Sequence, residues 1–173
     1  FLAFFTSMLS IAFDKISKFL GLGYPGGPVI EKIARQAVKK RVFFPKILTD
    51  PDDRRFSYSG IKTAVINHIK ANPGDDITEI VYSFQERALE LLSRRLFNAA
   101  REEGIKKMVI AGGVAANGRL RELLDSEKNK DEEIIIPSPL LCTDNAAMIA
   151  GMGYRYYKKG VFDPLSSDVT AKV

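Results

Sequence analysis

The chain has 173 residues, of which 46% are apolar and 27% are charged, an ordinary composition for a globular protein. No run of about 18 apolar residues occurs, which excludes a membrane-spanning helix, and the single Cys excludes an internal disulfide and fits a reducing compartment. The net charge of +5 is compatible with a polyanionic partner without requiring one, and the single His excludes a zinc site built from several His of this chain.

The N-terminal region predicts a helix, a loop and a second helix. Residues 1–5 are apolar but lack a basic n-region and a cleavage site, so they do not predict a signal peptide. There is no initiating Met, and we expect that the chain belongs to a longer protein. Helical spacing covers residues 11–19, and the Gly- and Pro-rich stretch 21–28 predicts a loop. Pro28 suits the first position of a helix, which we predict over residues 29–41.

The middle of the chain predicts mainly helix. Alternation over residues 55–59 suggests a strand, and Ser59 or Gly60 then begins a helix that ends near Ile69. A long helix with a regular apolar face runs from Asp76 or Thr78 to about Glu103.

After Gly104, short apolar runs alternate with helical segments, which predicts an α/β architecture. The predicted strands cover 107–111 and 132–136, and the tail after Gly160 is predicted as an irregular segment or a strand near 168–171. The predicted helices cover 117–124 and 143–157, the second with Thr143 as its cap. We divide the chain into three regions: a nucleotide-pocket segment (1–28), a mainly helical region (29–103) and an α/β nucleotide- and metal-binding region (104–173).

Two Gly-containing turns are candidate ligand sites. Gly112 and Gly113 end a strand, where a ligand can approach the backbone without meeting a Cβ atom. Asn117 follows, either as a helix cap or as an amide for a ligand. On spacing alone, a tight strand–helix turn is the favoured interpretation. Asp14 lies on a predicted helix, and Gly26 and Gly27 follow in the loop about twelve residues later. The Asp14 carboxylate can accept two ribose hydroxyls, although an exposed helical Asp explains the same pattern.

Asp144 is the candidate metal ligand of the chain. We expect it in the first turn of the helix that follows the second predicted strand, where the helix dipole favours a carboxylate. It therefore stabilises the helix or supplies one ligand to a metal ion. Neighbouring Cys142 is interpreted as a small buried residue and not as a nucleophile.

Basic residues recur along the long helix. Arg87, Arg94 and Arg101 lie at seven-residue spacing, and Arg95 adjoins the series. Such a stripe usually forms a solvated face. The alternative is contact with RNA phosphates.

Several long motifs together resemble one family. They are AFDK (12–15), GLGYPGGPVIE (21–31), FSYSGIKTAV (56–65), YSFQE (82–86), GGVAANGRLR (112–121) and CTDNAAMIA (142–150). In this order they identify the chain as a member of the TsaD family of tRNA N6-adenosine threonylcarbamoyltransferases, and the similarity runs from about residue 12 to residue 172.

The resemblance implies an actin-like ATPase fold (the ASKHA class, ribonuclease H-like), here its C-terminal portion with a helical insertion. It implies transfer of a threonylcarbamoyl group from threonylcarbamoyl-adenylate to N6 of adenosine 37 in tRNAs that read ANN codons. It also implies a cytoplasmic location and, as partners, tRNA, a paralogous TsaB-type subunit and a TsaE-type ATPase, with no membrane.

The resemblance further assigns roles to residues. Asp14 and Gly27 would bind the ribose end of threonylcarbamoyl-adenylate or ATP, and Gly112, Gly113 and Asn117 would hold the nucleotide. Asp144 would be one ligand of a divalent iron or zinc ion, which stabilises charge on the attacked carbonyl.

Departures from the family pattern limit this expectation. The family's pair of metal-binding His and its Ser-Gly-Gly-His loop are absent from this chain, and His68 does not replace them. We therefore expect that the chain alone neither retains the metal tightly nor catalyses the transfer. The alternative function is a catalytically incompetent scaffold that binds nucleotide and partner proteins. A metalloprotease is disfavoured because no HExxH motif occurs.

Overall fold

The computed structural model describes residues 2–5, 7–50, 57–164 and 166–167, with side chains from residue 8 onward. The chain divides into two compact units, residues 1–143 and residues 144–173, and each is described by itself. The boundary between them lies inside the predicted region 104–173.

The first unit begins with a strand that the sequence did not predict. Strand β1 (Leu2–Phe5) is followed by helix α1 (Ser7–Phe19), which starts earlier than the predicted residue 11. Its residues Phe13 and Ile16 are fully buried, as the helical spacing predicts.

Helix α2 differs from its predicted bounds at both ends. It covers Gly26–Ala34, with Pro25 at the N-cap, so Pro28 is the third residue of the helix and not the first. The predicted continuation to residue 41 is wrong. Residues 38–50 have an irregular path, in which Lys40 and Leu48 take positive φ angles of 49° and 47°.

Two further helices form the middle of the first unit. Helix α3 (Ser59–Ala71) and helix α4 (Ile77–Glu102) confirm the predicted positions. The Asp76 carboxylate caps α4 by accepting a hydrogen bond from the Thr78 amide at 2.8 Å. The predicted strand over 55–59 falls partly on residues 51–56, outside the described residues. Its remaining part is not a strand, because α3 begins at Ser59.

The C-terminal part of the first unit alternates strand and helix as predicted. It comprises β2 (Lys107–Ala111), a 3-10 turn (Gly113–Ala116), α5 (Gly118–Glu127), β3 (Glu133–Ile135) and a short α6 (Pro139–Cys142). The described strands pair in the order β1-β2-β3, all parallel, with Leu2 opposite Met108 and Lys107 opposite Glu133.

The core of the first unit forms around α4. Helix α2 packs on α4 and α1, while α3 and α5 also contact α4. Phe84 is fully buried, and its ring lies 5.4 Å from the ring of Phe13 on α1. The apolar face of α4 therefore joins the N-terminal helices to the strand-and-helix region.

The arginines of α4 hold the irregular segment 38–50. Arg87 donates to the Phe44 carbonyl at 2.6 Å, and Arg94 donates to the Ile47 and Leu48 carbonyls at 2.7 and 3.0 Å. Arg95 is buried and also donates to the Leu48 carbonyl. The interpretation of the stripe as a solvated face is therefore wrong for Arg95, which is buried, and Arg94 is half-buried; contact of the stripe with RNA stays a prediction.

The second unit contains α7 (Ala146–Lys158), which lacks buried residues. Gly160 follows with a φ of 68°, as expected for a residue that ends a helix. The possible strand near 168–171 lies outside the described residues.

The mixed α/β prediction is confirmed by the parallel pairing of the strands and the helices between them. In the part of the chain that the structure describes, no helix has both the length and the apolar character that crossing a bilayer requires.

Candidate functional site

Asp14 is held in place by the start of the next helix. It lies on α1, and its Oδ1 accepts a hydrogen bond from the Gly26 amide at 2.7 Å. That amide is one of the first in α2 and has no partner within its own helix. One carboxylate oxygen of Asp14 is therefore fixed against α2, while Oδ2 has no hydrogen-bond partner among the described residues and can accept from a ligand.

This arrangement requires glycine at position 26, because the backbone of α1 leaves no room there for a side chain. A Cβ atom at this position would lie 2.5 Å from the Phe13 carbonyl oxygen and 2.6 Å from the Asp14 backbone. Gly27 differs, since a Cβ there would meet nothing nearer than the Phe13 ring at 3.9 Å. The close approach of the two helices thus requires the first glycine and not the second.

A cavity of about 600 Å³ adjoins Asp14 and is lined mainly by the loop between α1 and α2. Its lining residues are Asp14, Lys15, Lys18, Gly21, Gly23 and Tyr24. The Ser17 hydroxyl donates to the Gly23 carbonyl at 2.6 Å and fixes this loop. Lys15 and Lys18 place positive charge at the cavity, which favours an anionic ligand.

Gly112 and Gly113 lie directly after β2, at the end of the strand where ligands bind in open α/β folds. Gly112 has a φ of 100°, a conformation that favours glycine. A Cβ atom on Gly113 would lie 3.4 Å from Ser10 Oγ, so this turn packs against α1. The fold thus brings the Gly turn to the helix that carries Asp14.

Asn117 acts as a helix cap. Its Oδ1 accepts from the Leu120 amide at 2.9 Å and its Nδ2 donates to Gln85 Oε1 at 3.2 Å. The side chain is buried, with 5% of the residue exposed, and it does not line the cavity beside Asp14. In this structure the amide of Asn117 therefore serves the start of α5, which is one of the two roles predicted from the sequence.

The position of α5 is fixed from α4 as well. Arg119 makes a two-pronged ion pair with Glu86, with Nε and Nη2 at 2.7 and 2.8 Å from the two carboxylate oxygens. The hydrogen bonds to Glu86 raise the pKa of the Arg119 guanidinium above its ordinary value. Because both partners are partly buried, the pair orients the N-terminal turn of α5 on α4.

Glu31 makes a contact beside Asn117 that the sequence did not predict. It lies on α2, and its Oε1 accepts from the Gly118 amide at 3.0 Å and from Arg35 at 2.7 Å. It therefore connects α2 to the first residue of α5, next to Asn117. In the sequence, Glu31 looks like any solvent-exposed Glu on a helix. Its contact with the start of α5 could therefore be found only from the structure.

Asp144 belongs to the second unit and stands before α7, not in its first turn. Asn145 is the N-cap and accepts from the Met148 amide at 2.9 Å, so the predictions of Thr143 as cap and of a helical Asp144 are wrong. Asp144 is exposed. Cys142 is buried in the first unit and lies 3.5 Å from the Pro137 carbonyl, which confirms its interpretation as a packed residue.

The described residues do not form a complete metal site. Across residues 7–50, 57–164 and 166–167, no group of three or more His, Cys, Asp and Glu side chains is placed to hold a metal ion. His68, the single His, pairs with Asp75 at 2.8 Å and lies 4.7 Å from the Phe43 ring. A metal bound by Asp144 thus requires further ligands from outside these residues.

The sequence of this chain is similar to one family of known proteins. A family model described as TsaD, tRNA N6-adenosine threonylcarbamoyltransferase, matches residues 5–151. The chain is 43% identical over 155 residues to the tRNA N6-adenosine threonylcarbamoyltransferase of Thermotoga neapolitana, covering 89% of this chain and 47% of that protein.

Two further relatives carry the same name. The protein of Kosmotoga olearia is 45% identical over 158 residues, which cover 91% of this chain and 48% of the relative. The protein of Treponema denticola is 45% identical over 168 residues, which cover 94% of this chain and 49% of the relative. The chain spans about half the length of the curated relatives it matches, and the matched part is a C-terminal portion.

Proposed function

Because this chain belongs to the TsaD family of tRNA N6-adenosine threonylcarbamoyltransferases, we propose that it provides the nucleotide-binding part of such an enzyme. The reaction is transfer of a threonylcarbamoyl group from threonylcarbamoyl-adenylate to N6 of adenosine 37 in tRNAs that read ANN codons. The fold is proposed to be the C-terminal portion of an actin-like ATPase fold, consistent with the parallel strands and intervening helices.

The observation that carries this proposal is the hydrogen bond between Asp14 and Gly26 beside the 600 Å³ cavity. A carboxylate fixed through one oxygen is oriented before the ligand arrives, which lowers the entropic cost of binding. Its second oxygen accepts hydrogen bonds from the ribose hydroxyls. Gly27, Gly112, Gly113 and Asn117 complete the proposed nucleotide site, Asn117 by fixing the turn through its cap.

The chemistry requires displacement at a carbonyl group. The N6 amine attacks the carbamoyl carbonyl carbon, the bond from that carbon to the phosphate oxygen breaks, and AMP leaves as N6 loses a proton. In this mechanism the residues of the present chain bind and orient the adenylate, so that the carbonyl carbon is held at the position of attack. ATP is the alternative nucleotide for the same site.

Asp144 is proposed as one ligand of an iron or zinc ion. A divalent metal would polarise the carbonyl oxygen or neutralise the phosphate of the adenylate. An exposed carboxylate suits such an ion, but a single carboxylate does not complete its coordination. The remaining ligands would come from outside this chain, and for this reason the chain alone is proposed to be inactive.

The proposed partners follow from the same family membership. They are tRNA, a paralogous TsaB-type subunit and a TsaE-type ATPase, and the tRNA substrate is consistent with a cytoplasmic reaction. The second candidate function is a nucleotide-binding scaffold. It is favoured by the fact that the described residues supply one candidate metal ligand and lack a group of three.

A chimera tests the two candidates directly. The N-terminal part of the Thermotoga neapolitana relative that this chain does not match is joined to residues 1–173, and transfer of labelled threonylcarbamoyl to tRNA is measured with the family's partner proteins present. We expect transfer by the chimera and none by the chain alone. A folded, metal-loaded chimera without transfer would support the scaffold and contradict the enzyme.

Substitution of Asp14 assigns the site in the same chimera. Asp14→Asn keeps an oxygen that accepts from the Gly26 amide. It removes the negative charge of the carboxylate to which the ribose hydroxyls would donate. We expect AMP to bind at least about tenfold more weakly, the loss of roughly one hydrogen bond to a charged group. Unchanged AMP affinity in calorimetry would remove Asp14 from the site.

A further inference from the structure

We propose that Tyr24 is the stacking surface for the adenine base of the adenylate, in the cavity beside Asp14. Among the six described residues that line this cavity, Tyr24 is the one with an aromatic ring. The inference rests on the proposed nucleotide site and adds to it the residue that contacts the base. The residues already assigned to that site offer a carboxylate, an amide and glycine backbone, and none of them has a surface on which a base can stack.

The ring of Tyr24 is open to a ligand. The residue is 82% exposed, although its ring is large and mainly apolar. An aromatic ring stacks on a base through its face, so a stacking surface must be accessible before the ligand binds. Contact with a base then removes apolar area of both rings from water, which favours binding.

The backbone is fixed on both sides of Tyr24. On one side, the Gly23 carbonyl accepts a hydrogen bond at 2.6 Å from the hydroxyl of Ser17, which is fully buried on α1. On the other side, the Gly26 amide donates to the Asp14 carboxylate of the same helix at 2.7 Å. The loop that carries the ring is therefore positioned before the nucleotide arrives, which lowers the entropic cost of binding.

The glycines of this loop leave space in the cavity. Gly21 and Gly23 both line it, and a Cβ atom on either residue would meet no atom within 4 Å. Their φ angles of 65° and 112° favour glycine. The loop backbone therefore bounds the cavity without side chains that would compete with a base for the same space.

Asp14 and Tyr24 together suit two parts of one nucleoside. In an adenylate, the base is bonded to the ribose carbon next to the one that carries the 2′ hydroxyl. A ribose held by the Asp14 carboxylate therefore places its base in the same cavity, whose volume of about 600 Å³ is in the range of small-molecule sites. Every base has a face that can stack, and purines present the larger ring area. The arrangement thus predicts a preference for purine nucleotides.

The experiment compares AMP with CMP, which share ribose and phosphate and differ in the base. Calorimetry measures the binding of both to the chain and to the chimera, as wild type, Tyr24→Leu and Tyr24→Phe. Tyr24→Leu keeps apolar bulk but removes the ring, and we expect it to weaken AMP binding about fivefold or more, the lower end for base–aromatic stacking. CMP binding should fall less, so that the preference for AMP shrinks. Tyr24→Phe keeps the ring and should bind AMP within about twofold of the wild type.

Tyr156→Leu is the matched control. It removes an exposed tyrosine from α7, in the second unit, and should leave the affinities for both nucleotides unchanged. Proton NMR of bound AMP adds a signature that a purely structural role would not produce. The ring current of a stacked tyrosine moves the proton resonances of the adenine ring upfield. This shift should persist in Tyr24→Phe and be lost in Tyr24→Leu.

Three results would overturn the proposal: equal AMP affinity of the wild type and Tyr24→Leu, equal losses of AMP and CMP affinity in Tyr24→Leu, or no AMP binding by either the chain or the chimera. Asp14→Asn separates these results from a failure of the proposed function. If AMP affinity depends on Asp14 but not on Tyr24, the nucleotide site stands and the base lies elsewhere. If Tyr24 controls AMP affinity in a chimera that does not transfer threonylcarbamoyl, the stacking contact stands and the enzyme is contradicted.

Discussion

At the residue scale, Gly26 and Gly27 appear identical in sequence but have different surroundings. A side chain at Gly26 would overlap backbone atoms of α1, which have no freedom to rotate away, while Gly27 has ordinary van der Waals space. The sequence named both glycines beside Asp14, and the family resemblance assigned the pocket role to Gly27. In the structure, the glycine that donates a hydrogen bond to Asp14 is Gly26.

We expect Gly26→Ala to separate α1 from α2 and to break the hydrogen bond to Asp14. The cost should be about 1–3 kcal/mol, typical of an overpacked position, and AMP affinity should fall with it. Gly27→Ala is the matched control, with a smaller change in unfolding free energy. Chemical denaturation and calorimetry of the two variants measure both effects. Equal stability of the two variants would refute the close packing at Gly26.

Asn117 shows what residue-level reasoning could predict. Its place between a Gly-rich turn and an amphipathic segment predicted a cap correctly, because Asn side chains accept from free helix amides. Its partner Gln85 could not be predicted, since that contact depends on how α4 and α5 cross.

At the element scale, α4 is the best-predicted segment and residues 38–50 the worst. Regular apolar spacing over 26 residues and an Asp cap specify α4 locally. Helical spacing over residues 29–41 gave a false extension of α2, because the backbone amides of Lys39 and Arg41 instead donate hydrogen bonds to the Glu79 carboxylate of α4 at 2.5 and 3.3 Å. Strand β1 was missed because its four residues are defined by pairing with a strand about a hundred residues away.

The conformation of segment 38–50 depends on hydrogen bonds that α4 donates to Leu48. Its φ of 47° is unfavourable for a branched side chain, and its carbonyl accepts from Arg94 and Arg95 at 3.0 and 2.9 Å. Arg94→Met keeps the apolar stem but leaves the Ile47 and Leu48 carbonyls with fewer donors.

We expect Arg94→Met to destabilise the chain by about 1–3 kcal/mol and to speed amide exchange in residues 38–50. The matched control is Arg155→Met on α7, an exposed helical arginine whose loss should change stability by less than about 0.5 kcal/mol. Denaturant titration and hydrogen exchange measure the two variants. Similar results for both would show that α4 does not hold the segment.

At the scale of the whole molecule, stability should depend on pH through Glu132. Its side chain is fully buried, and it accepts from Arg101 Nε at 2.8 Å and from the Asn129 amide at 2.7 Å. The hydrogen bonds to Arg101 lower the pKa of Glu132 from 4.5 to about 2. Because the folded-state pKa is the lower one, this stabilisation is complete above pH 4.5 and is lost as pH falls towards 2.

We expect the free energy of unfolding to fall between pH 4.5 and pH 2, and Glu132→Gln to reduce this dependence while costing about 1–3 kcal/mol at pH 7. Glu133→Gln removes a carboxylate that is 53% exposed and pairs with Lys107, so it should cost less than about 1 kcal/mol. Thermal unfolding at several pH values provides the measurement. An unaltered pH dependence in Glu132→Gln would assign the acid sensitivity to other carboxylates.

The parallel pairing of β1 with β2 has a consequence for how the chain folds during synthesis. The backbone of Leu2 lies opposite Met108, so the ribosome must add about a hundred residues, at about 5–20 per second, before β1 meets its neighbour. For several seconds the edge of β1 that later pairs with β2 lacks this partner, and an unpaired strand edge promotes aggregation. Local contacts among α1, α2 and α4 form sooner because they close shorter loops. The order of synthesis therefore favours assembly of the helices first and closure of the sheet last.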